Sequence, residues 1–312
     1  RSADGWQSLG ANLFRVGDTD DGLRALDRCV AISPAAADCR AERGFIYSAE
    51  GRCVEMEHDF RAALAGSRSV IWQNGLATAL FALGRPLEAS LEIYRNKWSQ
   101  LPEDTRTVTE LIDRGNLALA VGNFAEAERL GLEARRQMAA DLDAVMQARV
   151  ALQLLDAYTE MGRFRDAGHI ADDFLRRKAG WISSAHFDDA PMRMYWAMFR
   201  ADLLNRERFV EKRDAWLREI EPYTQGSLRA AMVAAYAIGV ETESEARETV
   251  QLFPDWEALL VDDNLVRRAL TSGRLYALTG RVREAVPLLE KVARWCGALS
   301  APVEYVEASL LL

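Results

Sequence analysis

An all-α solenoid of about eight antiparallel helix pairs is the fold class this sequence predicts, and three observations predict it. A glycine recurs at Gly17, Gly51, Gly84, Gly122 and Gly162, at intervals of roughly 33 to 40 residues, and again at Gly280, a period that belongs to stacked helical units. Seven residues before each stands Gly10, Gly44, Ala77, Gly115, Leu155 or Gly273, mostly small. The apolar positions between them keep helical periodicity, and there is no strand pattern of consequence.

Each element follows from that unit. The first small residue lets two helices cross closely, and the second ends a helix in a short turn. Five residues beyond the turn, Gly22, Met56, Ala89, Ala127, Ala167 and Ala285 keep the contact small or apolar, with Leu26, Phe60, Ile93 and Leu289 further along. One such pair cannot bury its own face, so pairs must stack. The predicted pairs run over 4–32, 37–65, 70–96, 106–138, 142–177, 190–220, 226–252 and 264–296, followed by the opening helix of a ninth. Pro86 is expected in the first turn of its helix, where a missing N–H is harmless. Pro287 is expected deeper, where it removes a backbone bond and bends the last pair. Residues 1–178 read as five regular repeats, 179–263 as two divergent ones lacking the glycines, and 264–312 as an eighth repeat and the start of a truncated ninth. The interruptions are GWISSAHFDDAP, Gly180 to Pro191, and LFPDWEALLVDD, Leu252 to Asp263. One continuous superhelix with two ill-fitting joints is expected.

Composition removes several function classes. With 49% hydrophobic and 28% charged residues, the 312-residue chain can bury a core. Thirty-nine basic against 47 acidic residues give a net charge of -8, and no Lys/Arg cluster approaches a phosphate-binding stripe, so nucleic acid is not expected as a partner. No apolar run reaches the roughly 20 residues of a bilayer span. The beginning, RSADGWQ, has neither a hydrophobic leader nor an initiator Met, and the end, VEASLLL, is an apolar helical phase without a stop signal. The natural protein is expected to continue.

Trp6, Leu9, Gly10, Leu13, Gly22, Leu26 and Pro34 match the pattern W-x-x-L-G-x-x-Y, a later A-x-x-x-F and a closing P. On those residues the chain resembles the tetratricopeptide repeat (TPR) family. Arg43, Gly44, Tyr47, Phe60 and Ala63 carry the second repeat, and Gly273, Tyr276, Gly280, Ala285 and Leu289 the eighth. The resemblance implies a right-handed superhelix whose concave face, lined by the first helix of each pair, binds a partner. At helical offsets that face would hold Gln7, Phe14, Phe45, Asn74, Thr78, Phe81, Ile112, Asn116, Arg149 and Asp156. The family's two-carboxylate clamp needs Lys, Arg and Asn, but the matching places hold Gln7, Ala11, Ala41, Phe45 and Asn74, which argues against an acidic C-terminal peptide. The stretches CVAISPAAADCRAERGFIYSAEGRC, IADDFLRRK and GRVREAVPLLEKVARWC also resemble the C-terminal repeat regions of bacterial serine/threonine protein kinases of the myxobacterial type. That resemblance implies a sensory or scaffolding segment without kinase chemistry, because no Gly-rich nucleotide loop, His-Arg-Asp or Asp-Phe-Gly is present.

Catalytic and metal sites are not expected, and no cofactor is implied. His169 lies on one helical face with Asp172 and Asp173, half a metal site or a solvated surface. His186, Asp188 and Asp189 fall in the first interruption, and Glu57, His58 and Asp59 fan out around a helix. Cys29, Cys39, Cys53 and Cys296 contain no C-x-x-C. Cys29 and Cys39 flank the ISPAAAD turn, so a disulfide between them and two small buried packing residues are both open. The compartment follows: cytoplasmic is favoured in general, extracytoplasmic if that disulfide forms. Two function classes remain. One is a non-catalytic scaffold that holds a peptide or helix of a partner protein in an open groove, where Asn can pair with backbone N–H and C=O. The other is a small-molecule sensor attached to a larger signalling protein, with an aromatic pocket near Trp181, Trp196 and Trp216.

Overall fold

Short turns that reverse the chain after every first helix organise the protein. The computed structural model describes residues 2–138, 144–177, 190–221, 227–253, 266–299, 307, 308 and 310–312. The described helices are α1 (Ala3–Arg15), α2 (Thr19–Ile32), α3 (Ala37–Ala49), α4 (Cys53–Ala65), α5 (Val70–Ala82), α6 (Leu87–Trp98), α7 (Glu103–Ala120) and α8 (Phe124–Gln137). They continue as α9 (Ala144–Glu160), α10 (Phe164–Arg177), α11 (Ala190–Arg200), α12 (Arg206–Ile220), α13 (Ser227–Tyr236), α14 (Glu243–Leu252), α15 (Val266–Leu278) and α16 (Val282–Arg294). Among the described residues there is no strand. The helices fall in successive pairs, as the repeat pattern predicts. His186, Asp188, Asp189 and Trp181, most of the first interruption, and residues 254–263 of the second lie outside the described residues.

The turn glycines Gly17, Gly51, Gly84, Gly122, Gly162 and Gly280 all have positive φ, from 65° to 86°. That conformation is nearly free for glycine and lets the following N–H reach back to the helix end. Arg52 N donates to Tyr47 O at 2.9 Å, and Arg163 N and Arg281 N donate to Tyr158 O and Tyr276 O, each at 2.8 Å. In these three turns the same arginine lays its guanidinium over the same tyrosine ring, 4.3, 4.6 and 4.4 Å from the centroid. The expectation that pairs six and seven lack the turn glycines holds for pair six and is corrected for pair seven. Asp202 (φ 59°) and Gly239 (φ 85°) occupy the position, and Leu203 N donates to Met198 O at 2.9 Å. Asp tolerates this region because its short side chain is polar and unbranched at Cβ.

Helices cross where side chains are missing. A Cβ on Gly10 would meet Leu26 at 2.6 Å and the Gly22 carbonyl at 3.0 Å, and one on Gly75 would meet the Phe60 ring at 2.5 Å. Pro86 is the residue before α6 rather than part of its first turn. Pro287 lies inside α16.

Contacts divide the chain into two compact units. The first comprises Arg1–Leu101, Glu257–Tyr276 and Arg281–Leu312, and the second Pro102–Trp256 with Ala277–Gly280. In the first unit, Leu26, Cys29, Cys39 and Ile46 form one buried cluster. Met56, Phe60, Leu76, Leu80 and Cys296 form another. Cys296 reaches it because the chain beyond α16 runs along α3 and α4: its N–H donates to Ser48 O at 3.3 Å, and Gly51 packs against the Arg294 backbone, leaving no room for a Cβ. Two disulfides fix this unit, Cys29–Cys39 and Cys53–Cys296, with Cα separations of 6.1 and 5.4 Å. In the second unit, Leu130, Leu154, Tyr158, Phe174 and Met194 centre the core.

Candidate partner-binding surface

A buried carboxylate organises the second helix pair. Asp59, on α4 and 1% exposed, accepts two hydrogen bonds from Arg43 on α3 at 2.6 and 2.7 Å, with Arg40 at 3.5 Å. Arg43 also reaches Asp27 on α2 at 2.6 Å. The hydrogen bonds it donates to Asp59 hold the Arg43 guanidinium protonated well above its ordinary range. The Tyr47 phenol beside them is pushed up, first by burial. This network ties α2, α3 and α4 together and presents no substrate-facing group.

On the first helices, two asparagines share one arrangement. Asn74 on α5 accepts at Oδ1 from the buried Lys97 of α6 at 2.7 Å. Asn116 on α7 accepts at Oδ1 from Gln153 Nε2 of α9 at 3.1 Å, and that same nitrogen donates to Ile112 O at 2.8 Å. A donor from another helix therefore fixes each oxygen, which turns the amide N–H2 of a half-buried side chain the other way. Gln153 lies where Gly115 leaves space, since a Cβ there would come within 2.2 Å of its amide.

The remaining expected positions differ among themselves. Gln7, Phe14, Phe45 and Phe81 are half-buried, with Phe45 edge-on to Phe60 at 5.1 Å between centroids. Thr78 and Ile112, 4% and 1% exposed, are turned into packing and not toward a groove. Arg149 is exposed. Asp156 pairs closely with Arg193 of α11. Gln153, Lys97 and Arg193 are not among the expected positions, although a glutamine and a lysine within apolar helical stripes are the available signal.

Among the described residues no group of three or more His, Cys, Asp or Glu could hold a metal. Asp172 pairs with Arg176 at 2.8 Å and Asp173 with Arg177 at 2.9 Å, while His169 is exposed beside them. Trp196 stacks on Phe199 at 5.2 Å and tilts on Phe209 at 5.6 Å, and Trp216 is 4% exposed. Trp216 is buried and Trp196 half-buried, while Trp181 lies outside the described residues. No described helix is long and apolar enough to cross a membrane.

The fold is that of an all-α helical-repeat protein. The structure resembles yeast Tom70 at a TM-score of 0.53 and 11% identity, covering 99% of this chain and 64% of that one, so the chain spans less than two thirds of its length. Likeness at this identity is one of fold alone. The TPR domain of P58(IPK) and Pseudomonas aeruginosa PilF align over 99% of the chain at 12% and 15% identity, covering 98% and 97% of those chains, with TM-scores of 0.31. No family model matches the chain. No curated protein matches it either.

Proposed function

We propose that the chain is a non-catalytic interaction scaffold whose first helices bind an extended peptide or a helix of a partner protein. The single observation that carries this reading is the pair of oriented amides at Asn74 and Asn116. In each, a buried donor holds the oxygen and leaves the N–H2 to donate to a partner's backbone carbonyl. Phe45 and Phe81 supply half-buried aromatic surface on the first helices of the same repeats as the Asp59 network and Asn74. A helical-repeat fold suits such work, because stacked pairs present long surfaces without needing an active site. The two disulfides favour an oxidising, extracytoplasmic compartment for it.

The test uses Asn74→Asp and Asn116→Asp, which keep the oxygen that Lys97 or Gln153 needs and remove the outward N–H2. Peptides selected on the native chain from a random display library should lose at least about tenfold in affinity to either variant, consistent with a lost hydrogen bond and an added repulsion. Selected peptides that bind both variants as well as the native chain overturn the reading. A sensing segment of a larger signalling protein, such as a bacterial serine/threonine kinase, is the second form of the proposal. The sequence resemblance alone favours it.

A further inference from the structure

A cleft of about 590 Å³ opens in the first unit between the C-terminal end of α4, the 66–69 connection, α5 and the C-terminal half of α6. It lies among the second helices of pairs two and three, away from the Asn74 amide on α5. At its floor is Gln73, 7% exposed, whose Oε1 is buried without a hydrogen-bond partner. Asn96 lines the wall and Arg68 the rim. Arg61, also on the lining, is engaged by Glu57 at 2.9 Å, whereas among the described residues Arg68 has no carboxylate within ion-pair distance.

The second unit contains a corresponding groove two repeats further along, built on α8, α9 and α10. Superposing the turn glycines Gly84 and Gly162 pairs Gln73 with Ala151 and Asn96 with Phe174. The second groove is floored mainly by apolar side chains, and both arginines of its lining, Arg135 and Arg177, contact the carboxylate of Asp173. The fold therefore does not require a carboxamide at these two places. An unpaired buried amide lowers stability, and the first groove keeps one at its floor.

We infer that the cleft of the first unit binds a small zwitterion of the α-amino-acid or short-peptide class. The Arg68 guanidinium takes the carboxylate, and the carboxamides of Gln73 and Asn96 accept from the ammonium group, Gln73 by turning its amide about χ3. Arg suits the carboxylate because its planar fork can donate twice. A cavity of this size is in the ordinary range of small-ligand sites, about 300 to 1,000 Å³. The inference does not depend on the scaffold reading, whose residues are elsewhere.

The experiment is calorimetric titration of the full chain with the twenty L-amino acids and alanyl-alanine, followed by the N-acetyl and methyl-ester forms of whichever binds. The expected result is at least one ligand with Kd near or below about 1 mM, weakened tenfold or more by blocking either end, by Arg68→Ala and by Gln73→Leu. Gln73→Leu removes the orphan carbonyl at similar volume, so its melting temperature should equal or exceed that of the native protein while affinity falls. If it fails to fold, Arg68→Ala at the exposed rim decides. Binding by no member of the panel, binding indifferent to the blocked ends, or binding undiminished in Arg68→Ala overturns the assignment.

Discussion

Asp202 stands in the left-handed region at φ 59°, where glycines stand at the other turns of the array. A residue with a Cβ pays a conformational cost there, so Asp202→Gly should raise unfolding stability by roughly 0.5–1 kcal/mol, and Asp202→Val should lower it by about 1–2 kcal/mol. Urea midpoints at constant m-value measure both, and a destabilised glycine variant would contradict the assignment of this residue as a repeat turn. The sequence hid the position because glycine was its only marker, and a single aspartate between Ala201 and Leu203 carries no turn signal of its own. At Tyr236 the chemistry is ionisation: burial pushes its phenol up to about 12, with Arg213 above the ring at 4.1 Å opposing and Asp214 at 3.2 Å reinforcing the shift. The unfolded phenol titrates near 10, so the folded state keeps its proton longer. This contribution is full below pH of about 10 and is lost as pH rises through the folded value. Phenolate absorbance should show one tyrosine titrating near 12, and the urea midpoint should fall over the same window. Full ionisation by pH 11 in the native state would remove the argument.

At the scale of elements, the eight helix pairs were legible because their cause is local. A glycine that ends one helix and a small residue that seats the next are both written in sequence, which is why the predicted 37–65 pair coincides with α3–α4, while the 190–220 pair coincides with α11–α12 on helical periodicity alone. The candidate surface was less legible. Whether Asn74 faces a groove or a neighbour depends on Lys97, 23 residues away, and Asn116 depends on Gln153 at 37. Helical offset places Thr78 and Asn116 alike, yet one is buried and the other is not, because the depth of the next pair's packing is a tertiary property. The closest crossing tests the local rule. Gly75→Ala would drive a methyl into the Phe60 ring, which is wholly buried between α4 and α5. We expect a loss of about 1–3 kcal/mol. Phe60→Leu should cost less in the Gly75→Ala background than in the native chain, because the pair is in contact. Additive costs in that double-mutant cycle would mean the two helices do not meet as described.

At the scale of the whole chain, the first unit is made of two stretches far apart in sequence, and covalent chemistry joins them. Cys53 begins α4 and Cys296 follows α16, at a sequence separation of 243. Nothing local marks that partnership, so the sequence could raise Cys29–Cys39 across a short turn but not this bond. The chain-entropy relation makes the two unequal. Closing a loop of 243 residues removes denatured-state entropy worth roughly 5 kcal/mol, and closing one of 10 roughly 3 kcal/mol. Cys53→Ser/Cys296→Ser should therefore lower the unfolding free energy more than Cys29→Ser/Cys39→Ser. Native protein treated with reductant should melt below either double variant, since it loses both bonds. Peptide mapping without reductant must find Cys53 linked to Cys296. The buried position of Cys296 among Met56, Phe60 and Leu80 adds a packing contribution that serine cannot replace, so Cys296→Val with Cys53→Ala separates the covalent from the apolar part. If that isosteric pair restores native stability, the bond adds little and packing alone docks the C-terminal stretch on α3 and α4. If the loss persists, the crosslink itself holds the two stretches as one unit.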